Sequence, residues 1–160
     1  MNEQAFWDII AEANGNADKL IETLARLPPK EIVAFDRIAS EKVRDAFRWD
    51  LWAVAYIMNG GCSDDGFDYF LTWLIARGRE AYEAALADPV RAADGCEPED
   101  EPFENEMLWW APARAYGQAT GGGPDDLYQH DERVDRTIQG EPWEDDEAYE
   151  LYPELAKRFG

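Results

Sequence analysis

The stretch from Arg48 to Arg79, RWDLWAVAYIMNGGCSDDGFDYFLTWLIARGR, constrains the fold more than any other part of the chain. Leu51 to Met58 is apolar at every position, so a helix there has no face to offer water and belongs at the centre of a helical packing. After the interruption Asn59-Gly60-Gly61, the residues Phe67, Phe70, Leu71, Leu74 and Ile75 recur at helical spacing and define a second apolar face. The glycine corner folds one segment back on the other, which predicts that Val54, Ile57, Phe70, Leu71 and Leu74 are buried together.

The remaining segments also read as helices. Asn2 is placed to cap a first helix with Ala5, Phe6, Ile9, Ile10 and Ala13 inward, and Asn14-Gly15-Asn16 stops it. A second helix through Leu20, Ile21, Leu24 and Leu27 ends at Pro28-Pro29. Pro29 suits the first position of a third, where its missing N–H costs nothing. That helix is expected to bury Ile32, Val33, Phe35, Ile38, Ala39, Val43, Ala46 and Phe47, with a continuation to Met58. Arg79 to Ala87 follows, then Phe103 to Ala119 with Pro112 inside it, a short helix around Val134 and Ile138, and Glu144 to Phe159 with Pro153 as an internal blemish. No stretch alternates as a strand would. The reading is an all-α domain of about six or seven helices. It comprises a compact segment 1–93, an acidic linker 94–102, and a looser acidic helical segment 103–160.

Seven Trp, seven Tyr and seven Phe supply a core without disulfides, and the two cysteines, Cys62 and Cys96, form no C-x-x-C or Cys/His cluster. A reduced, cytoplasmic protein is expected, with no signal peptide ahead of the first helix and no apolar run long enough for a bilayer. The net charge is −20. Residues 1–90 hold 16 acidic and 9 basic side chains (−7), and residues 91–160 hold 19 and 6 (−13). Such a surface repels nucleic acid and anionic membranes and favours a basic peptide or protein partner. Nothing in the residues specifies an oligomeric state.

The loop Asn59 to Gly66 carries most of the unusual polar chemistry. Cys62 sits just before a helix start, where N–H groups favour a thiolate, and Asp64 and Asp65 are candidate acid, base or cation ligands. These three are the candidate catalytic residues. A structural corner explains the same residues: Asn59-Gly60-Gly61 ends a helix, Ser63 caps the next, Cys62 fills a gap, and the two aspartates oppose thiol ionisation. Arg48, Trp49 and Asp50 open the most buried segment, and Arg48 there calls for a carboxylate partner. By the same reasoning Arg79 is expected near Asp50, Asp64, Asp65 or Asp68. His130, next to Asp131 and Glu132, reads as a loop histidine or as a base or metal ligand. Of Trp109 and Trp110, neighbours on a helix, one is expected in the core and the other is available as a binding platform. No zinc signature, Walker loop, dinucleotide fingerprint or nucleophile elbow occurs, so no metal site and no cofactor are expected.

Five blocks together carry a family resemblance: Phe6–Ile10, Pro29–Asp36, Arg48–Ile57, Asn59–Phe70 and Trp73–Arg79. They resemble the bacterial family catalogued as domain of unknown function 4240, over roughly the first 90 residues, and the tail Leu151-Tyr152-Pro153-Glu154-Leu155 is similar to that family's end. The resemblance implies one small, mostly helical bacterial domain and transfers no activity. It adds Asn59, Ser63, Asp68 and Arg79 to Arg48, Trp49 and Asp50 as candidate binding residues forming a cluster with Cys62, Asp64 and Asp65. The leading functional expectation is an acidic cytoplasmic accessory protein that binds a peptide or protein. The alternatives are a small hydrolytic or peptide-modifying enzyme using the carboxylates of the Asn59–Gly66 loop, and an acidic antitoxin or nucleic-acid mimic.

Overall fold

The computed structural model describes residues 1–130 and 134–160. Helices α1 (Glu3–Ala13), α2 (Ala17–Ala25), α3 (Pro29–Ala46), α4 (Trp49–Met58), α5 (Asp64–Ala76) and α6 (Arg79–Ala87) follow one another through short corners. Two 3₁₀ turns (Pro89–Ala93, Pro98–Asp100), α7 (Met107–Thr120), a third 3₁₀ turn (Pro124–Gln129), α8 (Glu147–Leu151) and α9 (Pro153–Phe159) complete the chain. Among the described residues there is no strand, and the fold is all-α.

The corners form where local chemistry stops a helix. Asn2 Oδ1 accepts from the Ala5 N–H at 2.8 Å, Asn16 Oδ1 from Lys19 at 3.0 Å, and Ser63 Oγ from Gly66 at 3.1 Å. Each satisfies a first-turn donor that the helix itself leaves unpaired. Asn14 closes α1 in the left-handed region at φ 48°, a conformation asparagine tolerates better than most side chains. Pro29 is the first residue of α3.

Helix α4 lies at the centre. Leu51, Ala53, Val54, Ala55 and Ile57 have no exposure, and it packs against α5, α8, α9 and the Pro89–Ala93 turn. Val54, Ile57, Phe70, Leu71 and Leu74 are all fully buried in one core that runs from Phe6 to Leu155. Segment 94–102 is pinned at its start. Arg77 donates to the carbonyls of Ala92 and Asp94, both at 2.6 Å, Arg158 donates to that of Cys96 at 2.9 Å, and Cys96 is buried.

Four helical expectations differ from the structure. The helix expected from Phe103 begins at Met107. Helix α3 does not continue to Met58. It ends at Ala46, and Arg48 is extended (φ −133°, ψ 145°) before α4 begins. The Val134–Ile138 segment is not helical. The last helix is two, α8 and α9, because Pro153 has no N–H to continue α8 and instead starts α9.

Candidate functional site

The break at Phe47–Arg48 leaves main-chain groups unpaired by either helix, and the tail uses them. The Gln139 N–H donates to the Phe47 carbonyl at 3.1 Å, and the Trp49 N–H donates to the Gln139 carbonyl at 2.8 Å. The result is an isolated parallel bridge between Arg48 and Gln139. Residues 134–139 form an extended strap whose burial alternates: Val134, Arg136 and Ile138 are half-buried, and Asp135, Thr137 and Gln139 are exposed. Period two is the signature of an extended segment with one face on the domain.

The surface beneath the strap is aromatic. Phe47, Phe67, Trp52 and Trp49 stack in sequence, with ring centroids 5.7, 5.1 and 5.3 Å apart. Trp143 stands edge-on to Trp49, Trp52 and Tyr56, and its indole N–H donates to the Trp49 carbonyl at 2.7 Å. At the other end, Arg136 forms a bidentate pair with Asp68 (2.6 and 3.0 Å) and lies 4.5 Å from the Phe47 ring centroid. The guanidinium is also 5.8 Å from the ring of Trp109.

Beside Arg136 opens a cavity of about 350 Å³, walled by α3 (Asp36, Ser40), α5 (Thr72), α7 (Leu108, Trp109), Tyr128 and the strap. Trp109 is 42 % exposed and Tyr128 48 %, and they are two of the three large apolar side chains exposed among the described residues. Thr72 is the buried polar residue of the wall, its hydroxyl bonded to the Asn105 carbonyl. The cavity therefore offers aromatic surface together with hydroxyl, carboxylate and guanidinium groups in its wall.

A family model described as a protein of unknown function (DUF4240) matches residues 1–118. The chain belongs to the DUF4240 family. No curated protein and no solved structure matches. In this DUF4240 protein the matched residues contribute the aromatic stack, Asp68 and most of the cavity wall, and the strap and Tyr128 lie beyond them.

The candidate residues of the sequence are dispersed. Arg48 pairs with Asp50 through both ends of the guanidinium (2.9 and 2.8 Å) and donates to the Leu86 carbonyl at 3.0 Å. Arg79 does not join the aspartates: it pairs with Glu83 at 2.7 Å, four residues on, and meets Gln4. Asn59 Oδ1 accepts from the Phe103 N–H at 2.9 Å, joining the α4 end to the chain entering α7. Ser63 caps α5, and Asp64 and Asp65 stand exposed in its first turn.

Cys62 is half-buried, with its thiol 3.7 Å from the Ser63 carbonyl. Burial, then the Glu104 carboxylate and the aspartates Asp64 and Asp68, push its pKa up to about 12, so it is a protonated thiol at neutral pH. His130 is exposed, with its ring 5.9 Å from that of Tyr116, and its neighbours Asp131 and Glu132 lie outside the described residues. Among the described residues, no group of three His, Cys, Asp or Glu side chains is close enough to hold a metal ion, and no helix is long and apolar enough to cross a membrane.

Of the candidate residues, the structure brings Trp49 and Asp68 to the strap groove. The sequence reading missed Asp36, Ser40, Tyr128 and Arg136. It had one usable signal, the pair Trp109-Trp110: Trp110 packs half-buried on the core and Trp109 faces the cavity.

Proposed function

We propose that this protein is an acidic cytoplasmic accessory protein that binds a peptide or protein segment carrying basic and aromatic side chains, at the cavity between α3, α7 and Tyr128. The observation that carries this reading is the convergence of two exposed aromatics, Trp109 and Tyr128, on one cavity with polar groups in its wall. Isolated exposed apolar residues need no explanation, whereas a pair at the rim of a 350 Å³ cavity supplies the rigid contact area that binding hot spots use. The net charge of −20 supports a basic partner by raising its encounter rate at low salt. The enzymatic alternative has less support: Cys62 is held protonated, and Asp64 and Asp65 do not line the cavity.

The test is fluorescence anisotropy with labelled peptides that alternate Lys or Arg with Trp or Tyr. The reading predicts saturable binding that Trp109→Ala weakens by at least about ten-fold while the melting temperature stays within a degree or so of wild type. Binding indifferent to both Trp109→Ala and Tyr128→Ala would contradict it.

A further inference from the structure

We infer that the groove beneath the strap is itself a peptide site, reading a segment with an arginine in an extended stretch and, seven residues later and past a bend, a tryptophan. In the resting chain its ligand is the chain's own Arg136–Trp143. The inference rests on the reading that the protein binds basic, aromatic segments. It adds where such a segment lies and what it must displace.

Four features make the strap resemble a bound ligand. It is extended over 134–139, with alternate side chains facing the domain, and bends at Gly140 (φ 97°), which turns Trp143 back onto the same face. It adds to exposed main chain at the α3–α4 break through the paired hydrogen bonds of Gln139, the main-chain part of strand-addition recognition. A charged pocket takes Arg136, with Asp68 bonding both guanidinium ends and Phe47 beneath it. An aromatic slot of Trp49, Trp52 and Tyr56 takes Trp143 and fixes the indole N–H on a carbonyl. Main-chain pairing with two side-chain pockets is a recognition site in form, whichever chain supplies the segment.

The charge of the strap makes it displaceable. Residues 134–143, VDRTIQGEPW, carry Asp135, Arg136 and Glu141, a net −1 (one basic, two acidic), on a protein of net −20. A separate segment with the same Arg and Trp but basic elsewhere gains an electrostatic advantage the strap lacks. It needs that advantage, because a tethered segment competes at an effective concentration on the order of millimolar. The strap is held at both sides, by the Pro124–Gln129 turn with buried Leu127 and by α8 and α9 with buried Ala148 and Leu155, so the chain on either side of it has its own anchors.

The experiment uses the full chain and a fluorescein-labelled ten-residue peptide of residues 134–143 carrying Asp135→Lys and Glu141→Lys. Binding is compared for wild type, for the strap-release variant Arg136→Ala/Trp143→Ala, and for that variant with Asp68→Asn, each with its far-UV circular dichroism. The expected result is at least ten-fold tighter binding by the strap-release variant than by wild type, a gain that Asp68→Asn removes. Equal affinity in wild type and the release variant, still weakened by Trp109→Ala, would overturn this inference and leave the cavity reading standing. No binding to either would overturn both. A release variant that does not fold would show the strap to be part of the core and would likewise overturn the inference.

Discussion

Helix α5 presents Phe67, Phe70, Leu71 and Leu74 to the core with no exposure at all, whereas residues 134–143 meet the same side of the molecule through one guanidinium, two main-chain hydrogen bonds, one indole and the half-buried Val134 and Ile138. The helix is over-determined. Each apolar side chain is packed on several sides, and losing one leaves the others in place. The strap is held at discrete points separated by exposed residues, each worth little against the entropy of a free loop. Both regions use aromatic side chains, but in the core rings meet rings in a closed interior, and in the strap one ring sits in a slot open to solvent. A region held at few points can leave without unfolding the rest, which is the property a displaceable ligand needs.

The largest expected effect is on the helical side of that contrast. Phe67→Ala removes a fully buried ring stacked between Phe47 and Trp52, and should cost about 3–5 kcal/mol in chemical denaturation. A loss below about 1 kcal/mol would mean the stack is not part of the core, and the contrast would fail.

Arg48→Met tests the junction between the regions. It removes the half-buried pair with Asp50 and leaves the Leu86 carbonyl without this donor, so about 1–2 kcal/mol of stability should go. Peptide affinity measured on the folded variant should be unchanged. A loss of affinity without loss of stability would move Arg48 from scaffold to site.

Ser63→Ala should cost about 1 kcal/mol by removing the acceptor for the Gly66 N–H at the start of α5. An unchanged denaturation midpoint would show that solvent caps α5 as well as the hydroxyl does.

The smallest effect concerns Cys62. Its folded pKa, pushed up to about 12, lies above the ordinary thiol value near 8.5. The stability this contributes is therefore fully present below about pH 8.5 and is lost as pH rises through about 12. In a Cys96→Ser background, iodoacetamide should alkylate Cys62 at pH 8.5 at least about ten-fold more slowly than it alkylates glutathione. Alkylation as fast as glutathione would revive the thiolate reading of the loop.

Helices α1 to α6 were legible because their information is local. Asn2, Asn16 and Ser63 mark starts, Pro29 marks a first turn, and the apolar spacing names the inner faces. The break at Phe47–Arg48 was not, since no glycine or proline marks it and the tail that pairs with it lies about 90 residues further on. Val134 and Ile138 show why the strap was misread. A separation of four places two residues on one face of a helix and equally on one face of an extended chain. Arg79 went to Glu83 because a carboxylate four residues away on the same helix is reached without folding anything else. The cavity was hidden for a different reason. Asp36 and Ser40 are two among many polar positions on α3, Thr72 is one hydroxyl in the apolar run of α5, and only the packing of α3, α5 and α7 brings them to one wall.

Native-state hydrogen exchange resolved by residue tests the two-region account most directly. The Gln139 and Trp49 amides, which close the bridge, should exchange by a local opening whose free energy lies well below that of global unfolding, while the Leu71 and Leu74 amides of α5 exchange only with global unfolding. Bridge amides as protected as those of α5 would contradict it, because the strap would then open only when the whole protein does.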